Sequence, residues 1–325
     1  MNNIKKIGLT ALAGSLVATS VFAGELAVTG TASMTYENYT GNGALANAKY
    51  FTQANNVYFK GGGELDNGLT VAVSFELDDG ANSDTASTSV WDNHSITVSS
   101  DTIGAFTLSG HGGSSAQSAL DTTAAGDMWD NFDGVGEATA KVSTSKAAND
   151  IMSYKLPTVM DDLTMTVSYL AGSATASGEG SSMAYGATYD GVDGLSVSFG
   201  KGEDNSSNVN NIDATTFKAS YAFSSFTVSL SDTSTDATTA TTDKSVRSYA
   251  VSYTVSDNLS LTWGTETHDD EADTAADAEY TGVKGAYTTG GMTIKAGHQQ
   301  GENTSYTTAV GEDMDYTYLT LAFAF

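Results

Sequence analysis

Five carboxylates share one polar stretch of the sequence: Asp121, Asp127, Asp130, Asp133 and Glu137. A group of acids beside a water-filled passage sets ion preference, as rings of carboxylates do in cation channels. The plain alternative is a solvated loop in an acidic protein. Against them stand lysines at alternating positions of β-like segments, Lys60 near mid-segment and Lys155 near Pro157, with Lys218, Lys284 and Lys295 further on. Glu76 shares the polar side of its segment with these groups. A second acid cluster, Asp269, Asp270, Glu271 and Asp273, carries oxygens of the kind that hold Ca²⁺ weakly, yet neither it nor Asp313-Met314-Asp315 has an EF-hand spacing. The four histidines, His94, His111, His268 and His298, lie in no metal-ligand spacing. There is no Gly-x-Ser-x-Gly elbow and no phosphate loop. No catalytic set and no cofactor is expected.

The elements that must position these groups are strands. Taken in steps of two, Leu26, Val28, Ala32, Met34 and Tyr36 fall on one face and Thr29, Thr31, Ser33 and Thr35 on the other. Leu69, Val71, Val73, Phe75 and Leu77 alternate in the same way with Thr70, Ser74, Glu76 and Asp78. Short turns fall near Asp66–Gly68, Asp101–Gly104, Pro157–Asp162, Asp190–Gly194, Ser224–Ser225, Ser256–Asn258 and Thr288–Gly291. Long polar stretches fall near Asn38–Thr52, Asp79–Asp92, Gly112–Asp150, Gly172–Ser182, Lys201–Asn211, Asp232–Asp243, Thr267–Asp277 and Gln299–Asp313. Seven turns and eight loops separate sixteen strands. Short connections at one end and long ones at the other, with an even strand count, are the outer-membrane barrel pattern. A sandwich of this size would leave long unpaired edges, whereas closure removes them and leaves an aqueous lumen. Phe106, Phe223, Phe226 and Tyr287 flank turns on the apolar face, and Tyr36, Phe75, Tyr169, Phe199 and Trp263 sit towards the loops, as two interfacial girdles would.

Composition agrees. Lys5 and Lys6, an apolar run from Ile7 to Val21 and the small-residue site before Gly24 make residues 1–23 a cleaved signal peptide, with one barrel domain over 24–325. No apolar run beyond the signal reaches the roughly 20 residues of a spanning helix. The net charge is −26, and −28 without the signal (39 acids against 11 bases), which excludes nucleic-acid binding. Cysteine is absent, so disulfides and thiolate metal sites are too. One proline, at Pro157, and sixteen tyrosines suit unbroken ladders. The chain ends on alternation, Leu319, Leu321, Phe323 and Phe325 against Tyr318, Thr320, Ala322 and Ala324.

The Leu65-Asp66-Asn67-Gly68-Leu69 hairpin, Ile151 to Pro157 around Tyr154, and the terminal aromatic together resemble Gram-negative general-diffusion porins of the alphaproteobacterial type. The resemblance covers the whole mature chain. It implies a homotrimer in outer-membrane lipid and lipopolysaccharide, delivered by the barrel-assembly machinery through a signal made of Leu321, Phe323 and Phe325. It also implies a third loop, Gly112–Asp150, that folds into the barrel, part of Glu137–Asp150 being available to the sixth strand. On that reading the loop acids face Lys60, Glu76 and Lys155 across a passage for ions and small hydrophilic solutes, with cations preferred. The family's row of wall arginines is missing, since Arg247 is the single arginine. The alternatives are a substrate-specific channel, an outer-membrane protease or lipase, and a secreted acidic β-repeat surface or adhesion protein. A sugar-specific channel needs a lumen ladder of aromatics, and the inward ones read here (Tyr58, Tyr280, Tyr316, Tyr318) are few and unordered.

Overall fold

A computed structural model describes residues 25–41, 47–78, 91–132, 144–172, 180–205, 211–238, 243–270, 276–304, 306 and 313–325. Sixteen antiparallel strands close on themselves, each paired with its sequence neighbours and the first with the last. They are β1 (Glu25–Gly41), β2 (Lys49–Glu64), β3 (Thr70–Asp78), β4 (His94–Ser100), β5 (Gly104–His111), β6 (Ile151–Lys155), β7 (Leu163–Leu170) and β8 (Ser182–Val192). The second half is β9 (Leu195–Asp204), β10 (Ile212–Phe223), β11 (Phe226–Ala237), β12 (Lys244–Ser256), β13 (Leu259–Asp270), β14 (Ala278–Thr289), β15 (Met292–Glu302) and β16 (Met314–Ala324).

Side-chain alternation decides which face looks out. Val28, Met34, Phe106, Leu108, Val228, Leu230, Val251 and Trp263 are exposed on one face of their strands. An apolar outer face and a polar inner one is the arrangement a bilayer selects, since in hydrocarbon every backbone polar group must be paired within the ladder. On the inner face neighbouring strands trade hydroxyl hydrogen bonds, Thr35 to Thr320 at 2.9 Å, Thr97 to Thr107 at 2.8 Å and Ser252 to Thr262 at 3.0 Å. The short turns are tight: Gly68 takes φ +79° and its N–H donates to Leu65 O at 2.8 Å, the left-handed conformation glycine adopts without strain.

The girdle aromatics lie on the outer face, with Phe223 and Phe226 facing each other at 5.8 Å across their turn. Phe325 closes the seam. Its N–H donates to Gly30 O at 3.0 Å and its carbonyl accepts from Gly30 N at 2.7 Å.

Two expectations need correction. Several strands run past the loop boundaries drawn from alternation: β1 reaches Gly41 and β2 begins at Lys49 inside the stretch assigned to a loop, and β9, β11, β13 and β15 extend likewise. In the extensions of β9, β11, β13 and β15 both faces carry mainly polar residues, so alternation fades while the ladder continues. The sixth strand, conversely, gains nothing from residues 144–150, which remain loop, and starts at Ile151.

Candidate functional site: the lumen and its third loop

The segment after β5 turns into the barrel and follows its inner wall strand by strand. Ala116 N donates to Ser168 Oγ on β7 at 2.8 Å, and Gln117 Nε2 donates to Thr216 Oγ1 on β10 at 2.8 Å. Ser231 Oγ on β11 donates to Thr122 O at 3.1 Å. Ser248 Oγ on β12 accepts from Ala124 N (3.1 Å) and Ala125 N (2.9 Å). Glu266 on β13, fully buried, takes Met128 N on one carboxylate oxygen (2.9 Å) and Trp129 N on the other (3.2 Å). These two amides open a short 3₁₀ helix, Met128–Phe132. Its end reaches the barrel seam, where Tyr39 OH donates to Asn131 O at 2.9 Å and Asn131 Nδ2 to Gln299 Oε1 at 2.9 Å. These wall groups lie on the inner parity of their strands, with Thr216, Ser231 and Ser248 in the middle of theirs and Ser168 and Tyr39 nearer the strand ends, so the loop lies inside the lumen.

Rings complete the attachment. Phe132 packs on Tyr280 (5.4 Å) and Tyr316 (6.3 Å), Tyr316 on Tyr39 (4.7 Å) and Tyr318 (5.4 Å), and Tyr39 on Tyr50 (6.0 Å). Three of the four inward aromatics read from the sequence, Tyr280, Tyr316 and Tyr318, thus belong to one cluster with Tyr39 and Tyr50, a correction to the sequence reading, while Tyr58 stands by Asn56 and Lys60. Tyr39 and Tyr50 escaped notice because both fell in the stretch assigned to the first loop. Tyr39 and Tyr316 are each 3% exposed, so they hold the loop tip and do not offer faces to a solute.

The predicted site residues divide. Asp121 is exposed and pairs with Lys218 on β10 at 2.7 Å. Asp127 is half-buried, accepting from Thr123 Oγ1 at 2.9 Å and Trp129 Nε1 at 3.4 Å. Burial first, then the charges of Asp121 and Glu266, lift its carboxyl above the ordinary aspartate range. Asp130 is exposed in the lumen. Asp133 and Glu137 lie outside the described residues.

Among the wall groups, Glu76 is buried and accepts from the side-chain amides of Asn56 (3.0 Å) and Asn93. Lys60 sits over the Tyr58 ring at 5.1 Å, and Lys155 is exposed near the turn end. Neither makes a hydrogen bond or ion pair to the third loop among the described residues. The lysines that do are Lys218 and Lys284, whose Nζ donates to Ala125 O at 2.6 Å. Glu266, Ser248, Ser168 and Gln117 were missed altogether. Glu266 carried a signal, as an acid on inner parity between Gly264 and His268 in the middle of a strand. A recess of about 210 Å³ opens on the wall of β1, β2, β15 and β16, lined by Thr31, Ser33, Asn56, Lys295 and Thr320.

Of the second acid cluster, Asp270 pairs with Lys244 at 3.7 Å, and Glu271 and Asp273 lie outside the described residues. Among the described residues no three acids or histidines converge as metal ligands.

Solved structures share this architecture. An anion-selective porin from Comamonas acidovorans matches with a TM-score of 0.70 at 15% identity, over 93% of this chain and 100% of that one. A mutant of the Rh. blastica porin matches at 0.66 and 14%, and a porin refined at 1.8 Å resolution at 0.65 and 16%, each with the same coverage. No curated protein matches in sequence. The family model for Gram-negative porins matches residues 8–269, well over half of the chain. By that match the chain belongs to the Gram-negative porins, and it is a passive diffusion channel of the outer membrane rather than an enzyme.

Proposed function

We propose that the channel passes ions and small hydrophilic solutes with a preference for cations. The observation that carries this is the course of the third loop: Asp121, Asp127 and Asp130 are held inside the lumen, while two of the lysines that oppose them, Lys218 and Lys284, are bonded to the loop itself. A carboxylate at a constriction acts on every ion that passes, whereas exposed charges farther than about 8 Å are screened at physiological salt. Lys60, Lys155 and Lys295 act the other way on the uncovered wall. The Comamonas acidovorans porin is described as anion-selective, so the shared fold leaves the sign to side chains such as these. The reversal potential of the purified protein in a KCl gradient tests the reading. A cation-selective potential that moves towards anions in the Asp127→Asn/Asp130→Asn variant supports it, and an anion-selective wild type overturns it.

The working unit is proposed to be a homotrimer in lipid and lipopolysaccharide, inserted by the barrel-assembly machinery. The small residues Gly30-Thr31-Ala32 of β1 are a candidate for close packing between subunits, although Gly30 is covered in this chain by its own Phe325 ring, which a Cβ there would meet at 2.5 Å. The native mass in mild detergent tests the trimer.

A further inference from the structure

The third loop lies closer to the wall than ordinary side chains permit. A Cβ placed at Gly186 on β8 would sit 2.5 Å from Ala116 O, and at Gly200 on β9 it would sit 2.7 Å from Leu120 Cδ1 and 3.2 Å from Gln117 Cα. At Gly264 on β13 it would meet Ala125 Cβ at 2.6 Å, and at Gly282 on β14 it would meet both the wall, Gln299 Cγ at 2.8 Å, and the loop's Met128 sulfur at 3.0 Å. Carbon atoms in contact stand about 3.5–4.0 Å apart, so one added methyl at Gly264 must lift the loop by about 1 Å.

These glycines are placed by register. Gly186 and Gly200 are direct cross-strand partners, and so are Gly264 and Gly282. Thr216 continues the first pair's row, and Ala250 and Ser248 lie between the two pairs on β12. The shelf thus runs from β8 to β14, with glycine, alanine, serine or threonine where the loop lies closest, while the larger inner groups Lys218, Glu266 and Lys284 bond to the loop itself. The uncovered wall at β2 and β3 presents Tyr58, Lys60 and Glu76 instead. A sheet wall gains nothing in stability from glycine, which weakens strands, so close approach of another backbone is the reason for it.

We infer that the glycine shelf, with the Glu266 carboxylate as its clasp, sets how far the third loop projects and thereby fixes the channel's width. The shelf residues touch no solute; they act by positioning the loop. The inference rests on the channel reading above. The chain supplies both parts of the device, and a solute too large for the gap is excluded by the loop's standoff from the wall.

Single-channel conductance and the solute-size cutoff of liposome swelling test it, in Gly264→Val and Gly200→Val beside Ala54→Val, an inner residue away from the loop. Heat-modifiable migration on gels confirms that each variant is a folded barrel. The shelf variants are expected to conduct about 1.5-fold less or lower, with a smaller cutoff, because the loop moves inward by 1 Å or more. Ala54→Val is expected to match wild type. Should a valine variant not fold, Gly264→Ala, the smaller addition against Ala125 Cβ, gives a smaller shift of the same sign, and Glu266→Gln gives a noisier open level. A conducting wild type with shelf variants equal to Ala54→Val overturns the shelf. A wild type without conductance overturns the channel reading instead.

Discussion

At the scale of single residues, the lumen holds charges of two kinds, those bound to structure and those left to act on ions. Lys218 belongs to the first, spending its ammonium on Asp121 Oδ2 at 2.7 Å and Thr123 O at 3.0 Å. Removing it as Lys218→Met leaves Asp121 uncompensated. A unit charge about 10 Å away in water shifts an ion's energy by about 0.4 kcal/mol, about twofold in occupancy. Cations gain and anions lose, so the permeability ratio should rise about twofold to fourfold, less at high salt, as reversal potentials will report. Asp127 gives a pH signature. Its folded carboxyl titrates above the unfolded value near 3.9, so its charge opposes folding. Its contribution to stability is therefore fullest below the unfolded value and is lost as pH rises through the folded one. Asp127→Asn should raise the melting temperature at pH 7 and flatten stability's pH dependence above the unfolded value. The wild type's cation preference should weaken on acidification as Asp127 protonates. An unchanged melting profile would put that carboxyl in water.

At the scale of elements, the third loop is a strap tied at many points, and each tie is a wall side chain reaching a loop amide or carbonyl. Ser248 is the tie most easily tested, since its one oxygen serves both Ala124 N and Ala125 N. Ser248→Ala leaves two amides short of a partner, at about 1–3 kcal/mol for each that water cannot reach. The loop should then fluctuate, giving a noisier open channel and faster proteolysis within 112–132, while the barrel's own melting shifts little. Equal noise and proteolysis would show the loop held without it. Strands were legible because alternation is written into every one of them, even β4 (His94–Ser100), where Ile96 and Val98 alone mark the outer face. The strap's route was not legible. Many of its ties are serines and threonines, and its closest approaches are at glycines, types ordinary for an inner wall, and only register shows that Gly186 faces Gly200 or that Ser248 stands beside Glu266. Lys218 and Lys284 were placed on the lumen side, but nothing in sequence distinguishes a lysine bonded to a loop from one facing water.

At the scale of the molecule, everything depends on closing β1 against β16, because the ladder has no free edge to tolerate in a membrane. Their register pairs Thr31 with Ala324 and Gly41 with Met314. The seam is finished at the turn end by Phe325, whose two backbone hydrogen bonds grip Gly30 and whose ring covers it. Gly30 must stay bare for that ring to lie down, which explains a glycine on an otherwise apolar face. The terminal residue thus has a structural task in the finished barrel besides the one proposed for it, presenting an aromatic end to the assembly machinery. The two tasks separate by substitution. Phe325→Ala keeps the backbone bonds and loses the ring, uncovering a patch worth about 1.5–3 kcal/mol if fully buried and less here, where Phe325 remains 65% exposed. The purified variant should melt only a few degrees lower, as followed by heat-modifiable migration. Its outer-membrane level in cells should fall much further than that loss accounts for, and Phe325→Trp should restore it. A drop in cells no larger than the drop in melting predicts would leave Phe325 as a seam residue alone, with recognition carried by Leu321 and Phe323.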